Sequence, residues 1–152
     1  MKLESANILK EKGIAYRIIE LSDRAISVKD VIEYSKSEIN AEEICKTIIV
    51  KDKNGRKYGI FLRGGDRVDF RKLKTILGKV SIASLEEVKK STGVEPGAVC
   101  PLTIDMPVIV DNRVFENERL NFGSGDHLYG IEIRTEDLQK VIDFKVEDIA
   151  DN

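Results

Sequence analysis

A lysine at the start of an apolar strand is the first residue whose type and position could support chemistry. Lys46 opens the segment KTIIVK, residues 46–51, and this apolar run is typical of a buried strand. A lysine at that point can place its ammonium group in a pocket beside the sheet and bind an anionic group. From the residue alone, the favoured alternative is a solvated strand end whose aliphatic stem covers apolar surface.

The loop at residues 92–101, TGVEPGAVCP, contains two glycines and two prolines. Glycine lets the backbone approach a substrate closely, and backbone polar groups aimed at a reacting carbonyl can polarise it or orient its attacker. The alternative is an ordinary rigid connection, which is favoured when the loop is considered alone. Cys100 in this loop could act as a nucleophile, but a lone cysteine is more often a small packing residue.

A second glycine-bearing segment, NFGSGD at residues 121–126, resembles a phosphate-binding loop only in part. It lacks the Lys-Ser/Thr ending of a P-loop and no helix is predicted after it, so a turn before a strand is the better interpretation. His127, the only histidine, follows directly and could carry a proton or form a pocket wall. The sequence pairs no serine or cysteine with it, so a catalytic triad is unsupported. We expect the turn at residues 64–67, GGDR, on the rim of a pocket.

The hydrophobic pattern predicts a scaffold that mixes strands and helices. Apolar runs predict strands at residues 16–21, 46–51, 58–62, 80–83, 107–110 and 129–134, with Asn54-Gly55 as a hairpin turn. Helical spacing and capping residues predict helices before Gly13, after Ser27, over 69–77, over 84–90 and, capped by Thr135, over 136–142. Because these elements do not alternate strictly, we expect a mixed α/β or α+β sheet with flanking helices.

Length and composition predict a single domain that spans residues 1–152, and they limit the partners that it can bind. The formal net charge of −2 argues against coating nucleic acid by charge, so any RNA contact must be local. No run approaches the ~18 apolar residues of a membrane span, and residues 1–11 contain no signal-peptide core. Two distant cysteines and one histidine argue against a zinc site and predict a cytoplasmic protein with reduced thiols.

Taken together, these segments resemble the YbaK-like aminoacyl-tRNA deacylases and the editing domain of bacterial prolyl-tRNA synthetases. KTIIVK resembles the family strand that opens with its lysine, so Lys46 matches that residue. TGVEPGAVCP is similar to the family loop T-G-x-x-x-G-G-x-x-P, so Gly97 and Pro101 match its Gly-x-x-x-Pro element. GDHLYGIEI is similar to the segment in which a histidine of the prolyl editing domains lines the amino-acid pocket. VIVDNRVFENERLNFGSG, residues 108–125, resembles the strand, short connection and Gly-bearing turn that follow the loop in the family. The four segments occur in the family's order over nearly the whole chain.

This sequence differs from the family pattern at two places. Ala98 stands where the family commonly has a second glycine, which reduces the backbone freedom of the loop. Residues 121–123 are Asn-Phe-Gly, whereas the corresponding turn of the cysteinyl-tRNA-clearing members opens with Ser-Ala-Gly. The second difference favours the prolyl-tRNA editing branches.

The resemblance implies a curled mixed sheet that forms a partly closed barrel with helices outside. It also implies hydrolysis of the ester that joins an amino acid to the 3′-terminal adenosine of mischarged tRNA. Because the departures favour the prolyl-tRNA editing branches, we expect alanyl-tRNA for proline as the substrate. The implied catalytic residues are Lys46, Gly97, Ala98 and Pro101, and the implied substrate-binding residues are Asn121, Phe122, Gly123, Ser124 and His127. Lys46 would hold the terminal phosphate, the backbone of residues 97–101 would position the ester, and His127 would shape the amino-acid pocket.

The expected partners are the acceptor end of tRNA and prolyl-tRNA synthetase, with no DNA or membrane, and no metal or cofactor is required. Two alternatives stay open at this point. The substrate could instead be cysteinyl-tRNA for proline. The chain could also be a non-catalytic module that binds tRNA ends or nucleotides.

Overall fold

The computed structural model describes residues 3–151 and has a mixed α/β architecture, as predicted. The α-helices of this part of the chain are α1 (Glu4–Glu11), α2 (Val28–Tyr34), α3 (Phe70–Leu77), α4 (Leu85–Thr92) and α5 (Leu138–Val141). The strands are β1 (Tyr16–Glu20), β2 (Cys45–Asp52), β3 (Lys57–Arg63), β4 (Arg67–Val68), β5 (Val80–Ile82), β6 (Val108–Asp111), β7 (Arg119–Gly123), β8 (Tyr129–Arg134), β9 (Lys145–Glu147) and β10 (Ala150–Asp151). Short 3₁₀ helices span Ala41–Glu43, Asn112–Glu116 and Thr135–Asp137. No helix between residues 3 and 151 is long and apolar enough to cross a membrane.

Two main sheets enclose the largest core. The larger has the order β5-β2-β3-β6-β9, with antiparallel β2–β3 and parallel β3–β6 and β6–β9 pairs. The smaller is antiparallel, with the order β1-β8-β7, and a parallel bridge between Ile44 and Asn121 joins the two sheets at one corner. Phe61 of β3 meets Phe122 of β7 edge to face across this core, with ring centroids 5.8 Å apart. The strands therefore curl around a shared interior.

The side chains of β3 alternate between two cores, as the period of a strand requires. Phe61 lies in the core between the sheets, where α1 and α5 also pack. Ile60 and Leu62 lie in a second core on the opposite face, where they pack with Leu73 of α3. Both faces of the larger sheet are thus covered, which makes its central strands a rigid base.

One half of β2 has an outer edge that no strand pairs with in the described part of the chain. β2 pairs with β3 over seven residues, but it pairs with β5 only at Val50, Lys51 and Asp52. The backbone N–H of Ala83 adds one bond to the carbonyl of Ile49, and pairing then stops. The first half of β2 is therefore open at its side, and a cavity lies there.

Several local predictions are confirmed because short-range chemistry decides them. Gly55 has φ +82° in the turn between β2 and β3. Ser27 caps α2 by accepting a hydrogen bond from the Asp30 N–H, and Ser84 forms a complete capping box with Glu87 at the start of α4. These contacts involve residues at most three positions apart, so they could be predicted from the sequence.

Two predictions about the C-terminal half are wrong. Asn121, Phe122 and Gly123 belong to strand β7 and are not part of a turn. The predicted helix over 136–142 is a 3₁₀ turn followed by the single turn of α5, and Thr135 does not cap it. The hydroxyl of Thr135 instead donates to the carbonyl of Asn117 at 2.6 Å. In each case a tertiary or cross-strand contact outweighs the local signal.

Candidate functional site

A cavity of about 540 Å³ lies beside the open half of β2. Its walls are the first residues of β2, the loop around Gly97, the β7–β8 hairpin, and the segment that leads into α2. These segments are far apart in sequence, so only the fold brings them together. The size is within the roughly 300–1,000 Å³ range of ligand pockets.

The cavity brings together most of the residues that the sequence nominated. Lys46, Gly97, Asn121, Phe122, Gly123 and His127 all line it, and so does Gly64 of the predicted rim turn. Ala98, Pro101 and Ser124 are buried and do not line it. The functional roles assigned to the lining residues stay predictions.

Two of these buried residues, Ala98 and Ser124, form hydrogen bonds that hold the structure together. The carbonyl of Ala98 accepts a hydrogen bond from the Gly125 N–H at 2.8 Å. The Ser124 hydroxyl donates to the carbonyl of Tyr129 at 2.6 Å, and the Ser124 carbonyl accepts from the Ser5 hydroxyl at 2.8 Å. Ala98 and Ser124 therefore connect the loop at residues 92–101, the β7–β8 hairpin and α1, and they support the cavity wall from behind.

Lys46 places a partly buried cation at the cavity. Its Nζ donates to the carbonyl of Gly64 at 3.2 Å. Burial lowers the pKa of Lys46 from its ordinary value, and the nearby carboxylate of Asp66 opposes this effect. The Gly64 carbonyl satisfies only one of the three donors of an ammonium group. Lys46 is thus arranged to bind a further acceptor.

Gly97 occupies a position where neighbouring backbone atoms leave no room for a side chain. Its φ is +97°, a conformation that residues with a side chain rarely adopt. A Cβ added there would lie 2.6 Å from the carbonyl oxygen of Ile26. The backbone at Gly97 therefore lies directly against the backbone of the segment before α2, and the two segments form a continuous wall.

Neither cysteine is suited to nucleophilic attack. Burial raises the pKa of Cys100 to about 12, although hydrogen bonding from the Leu102 backbone opposes the rise. Burial likewise raises the pKa of Cys45 to about 12. The thiolate is the nucleophilic form of cysteine, and at neutral pH both thiols remain protonated. The burial of both thiols therefore favours another attacking group for chemistry in this cavity.

The ring of His127 is held by the backbone of Ala25. Nδ1 of His127 lies 2.8 Å from the carbonyl oxygen of Ala25, and the Ala25 N–H donates to the carbonyl of His127 at 3.0 Å. A carbonyl oxygen can only accept, so Nδ1 must carry the hydrogen. This pair of bonds fixes both the ring orientation and the tautomer.

Three buried polar atoms of the lining residues have no hydrogen-bond partner within residues 3–151. They are Oγ1 of Thr47, Nδ2 of Asn121 and Nε2 of His127. The sequence did not nominate Thr47, because a threonine inside an apolar run is typical of a strand former. No local signal in KTIIVK could have shown that its hydroxyl is both buried and unpaired.

Among residues 3–151, the charged side chains that line the cavity are those of two lysines and one aspartate. Lys46 lies on β2 and Lys29 on α2, whereas Asp126 lies in the β7–β8 connection next to His127. Cationic and acidic groups thus come from different walls. Within the described residues, no group of three or more His, Cys, Asp or Glu side chains could hold a metal ion.

Comparison with known proteins identifies the family and the fold. The model of the aminoacyl-tRNA editing domain matches residues 27–141. The structure of a hypothetical protein, APE2540, superposes with a TM-score of 0.86 at 23% identity, covering 96% of this chain and 98% of the other. A candidate trans-editing enzyme for prolyl-tRNA synthetase superposes with a TM-score of 0.83 at 19% identity, with both chains covered completely. At these identities the two structural matches show a shared fold, whereas the family match covers most of the sequence, and the chain therefore belongs to the aminoacyl-tRNA editing domain family.

Proposed function

We propose that this protein is an aminoacyl-tRNA deacylase that clears mischarged tRNA in trans, with alanyl-tRNA for proline as its main substrate. The observation that carries the proposal is the cavity, in which a cation, a close-packed backbone loop and rigid apolar walls meet. A bound aminoacyl-adenosine has a phosphate, an ester and a side chain, and each requires a different environment. The cavity offers one environment of each kind.

Lys46 binds the terminal phosphate in this proposal. Its ammonium is a compact point charge that suits a phosphate oxygen, and the Gly64 carbonyl holds it at the cavity. Lys29 lines the same cavity from α2 and adds positive charge. With a net charge of −2 for the whole chain, contact with RNA is confined to this end of the acceptor strand.

The ester is hydrolysed without a protein nucleophile. An aminoacyl ester is already reactive, so orienting a water molecule or the neighbouring ribose hydroxyl supplies much of the acceleration. The raised pKa values of Cys45 and Cys100 support this route, because neither thiol is ionised at neutral pH. The backbone near Gly97 positions the ester, since no side chain separates it from the cavity.

Rigid walls select the amino acid. Phe122 is packed against Phe61, and the ring of His127 is held by Ala25, so neither wall yields easily. A small pocket admits alanine and excludes the larger ring of proline by overlap. A synthetase cannot make this distinction by affinity alone, because one methylene is worth only about 1–3 kcal/mol.

The test compares the deacylation of alanyl-, cysteinyl- and prolyl-tRNA for proline with the spontaneous loss of each ester. We expect alanyl-tRNA to be cleared fastest and prolyl-tRNA to be spared. Lys46→Met keeps the aliphatic stem and should lose most of the activity, whereas Lys53→Met, at an exposed hairpin lysine, should not. Cys100→Ala should retain substantial activity.

The outcomes separate the alternatives. Clearance of cysteinyl-tRNA without alanyl-tRNA would keep the deacylase class and refute alanine as the substrate. Hydrolysis no faster than the spontaneous rate for all three would favour a non-catalytic module that binds tRNA ends. A folded Lys46→Met protein with normal turnover would remove Lys46 from the site, and loss of activity in Cys100→Ala together with thiol-blocking inhibition would indicate a cysteine nucleophile.

A further inference from the structure

The unpaired polar atoms of the cavity wall indicate which hydrogen-bonding groups a ligand must have. More than about 90% of buried polar groups in native proteins have a hydrogen-bond partner. Oγ1 of Thr47, Nδ2 of Asn121 and Nε2 of His127 have none in the described part of the chain, and all three residues line one cavity. Burial of unpaired groups destabilises a fold, so three of them beside one cavity indicate that a ligand supplies their partners.

His127 can offer this ligand only an acceptor. Its Nδ1 donates its hydrogen to the carbonyl of Ala25 at 2.8 Å. In the neutral ring Nε2 then carries a lone pair and no hydrogen. The ligand group that meets Nε2 must therefore be a donor, such as an ammonium or a hydroxyl.

Charge on the same wall favours the ammonium. Asp126 precedes His127 and also lines the cavity, and its Oδ1 accepts a hydrogen bond from the Leu128 N–H at 2.9 Å. The two lysines that line the cavity lie on β2 and α2. The wall formed by the β7–β8 connection is thus acidic, and a cation is more stable there than beside the lysines.

We propose that His127 Nε2 accepts a hydrogen bond from the free α-ammonium group of the aminoacyl ester, so that the enzyme accepts only substrates with an unblocked amino group. This inference rests on the proposed deacylase function and specifies its substrate class. The donor Nδ2 of Asn121 and the hydroxyl of Thr47 are available to the ester carbonyl or a ribose hydroxyl. Esters whose nitrogen is acylated lose the positive charge and offer Nε2 only a neutral amide N–H, and they are rejected.

The experiment measures binding of two non-hydrolysable ligands, 3′-alanylamido-adenosine monophosphate and its 3′-propionylamido analogue, which lacks only the amino group. We expect the wild type to prefer the alanyl ligand by about tenfold or more, since a hydrogen bond to a charged group is worth at least that in affinity. His127→Asn retains a donor for the Ala25 carbonyl but has no acceptor at the position of Nε2. This variant should bind both ligands with similar affinity.

His127→Gln is the matched variant, because its side-chain oxygen can replace the Nε2 acceptor. It should keep most of the preference for the alanyl ligand. Circular dichroism checks that each variant is folded. Equal wild-type affinities for the two ligands, or an unchanged preference in folded His127→Asn, would overturn the proposal.

Kinetics with alanyl- and propionyl-tRNA, each rate divided by its spontaneous hydrolysis rate, separate this proposal from the deacylase function. Hydrolysis of both esters without preference would refute the role of His127 and leave the deacylase function standing. A clear binding preference without any hydrolysis would support the ammonium site and refute the enzyme.

Discussion

Buried polar groups are treated in opposite ways in two regions of this protein. The carboxylate of Asp111, at the end of β6, is fully buried and accepts several hydrogen bonds. Its oxygens accept from the N–H groups of Ile149, Ala150 and Arg113 and from the Arg113 guanidinium, all at 3.0–3.1 Å. In the cavity wall, by contrast, Thr47 and His127 bury polar atoms that the described chain leaves unpaired.

This contrast distinguishes polar groups that stabilise the fold from polar groups that are available for binding. A satisfied buried network fixes one conformation, because breaking any part of it leaves an unpaired charge or donor. Asp111 ties the C-terminal segment to β6, and Arg113 extends the network to Asp148, whose pKa is lowered by Lys72 and then by Arg113. Unpaired atoms make no such contribution to the fold, and we propose above that a ligand in the cavity is their partner.

Substitution of Asp111 should have the largest effect on stability. Asp111→Ala removes the acceptor of buried backbone donors and leaves the Arg113 charge without its partner, which should cost about 3–5 kcal/mol of unfolding free energy. Urea unfolding measures the loss. Asp148→Ala, at a side chain that is 51% exposed, is the control and should cost much less. Equal losses in the two variants would show that the buried network is not the stabilising element.

Gly97 tests whether the cavity wall also depends on close packing. Gly97→Ala should cost about 1–3 kcal/mol and reduce deacylation, because the new Cβ meets the Ile26 backbone at a strained φ. Gly93→Ala is the matched control, since Gly93 has a similar positive φ of +79° but no atom within 4 Å of an added Cβ. Thermal unfolding and turnover are measured for both. If Gly93→Ala is as harmful as Gly97→Ala, backbone strain alone explains the effect and the contact with Ile26 is unimportant.

Thr47 sharpens the comparison, because its substitution should affect stability and function in opposite directions. Thr47→Val keeps the shape and removes an unpaired buried hydroxyl, so the unfolding free energy should stay constant or rise by about 1 kcal/mol. Affinity for the alanyl ligand should fall. Thr47→Ser retains the hydroxyl and should bind more tightly than Thr47→Val. A marked loss of stability in Thr47→Val would mean that the hydroxyl has a structural partner.

Glu87 has hydrogen-bond partners but is only half-buried, and its effect should be the smallest. The Lys51 ammonium and the Ser84 cap hold the pKa of Glu87 at about 2, below its ordinary value of 4.5. Because the folded-state pKa is lowered, the contribution of Glu87 is complete above its ordinary pKa and is lost as pH falls toward about 2. The wild type should therefore lose more stability than Glu87→Gln when thermal unfolding at pH 7 is compared with that at pH 3. Parallel losses would indicate that the bond to Lys51 contributes nothing.

The elements that the sequence predicted correctly are those with short-range causes. Ser27, Ser84 and the Asn54-Gly55 turn act on residues at most three positions away, so local pattern determines them. Asn121 to Gly123 carried a turn-like composition, but pairing with β8 places them in a strand. Composition could not show this, because strand pairing depends on a partner elsewhere in the chain.

The same limit applies to the site. Family motifs in the sequence identified Lys46, Gly97 and His127, and all three line the cavity. Ala98 and Ser124 belong to the same motifs, yet they lie behind the wall and bond to the β7–β8 hairpin and α1. A sequence motif identifies the segment that forms the site, but it does not show which residues of that segment face the cavity.

The sequence by itself determined the family, the mixed α/β class, most helix starts and three of the four segments that meet at the cavity. Only the tertiary structure decided which polar atoms lack partners and which tautomer His127 adopts, because its ring is fixed by Ala25, 102 residues away along the chain. Local propensities act over a few residues, whereas hydrogen-bond satisfaction and burial depend on every neighbour in space. The chemistry of this site therefore depends on contacts between residues that are far apart in the sequence.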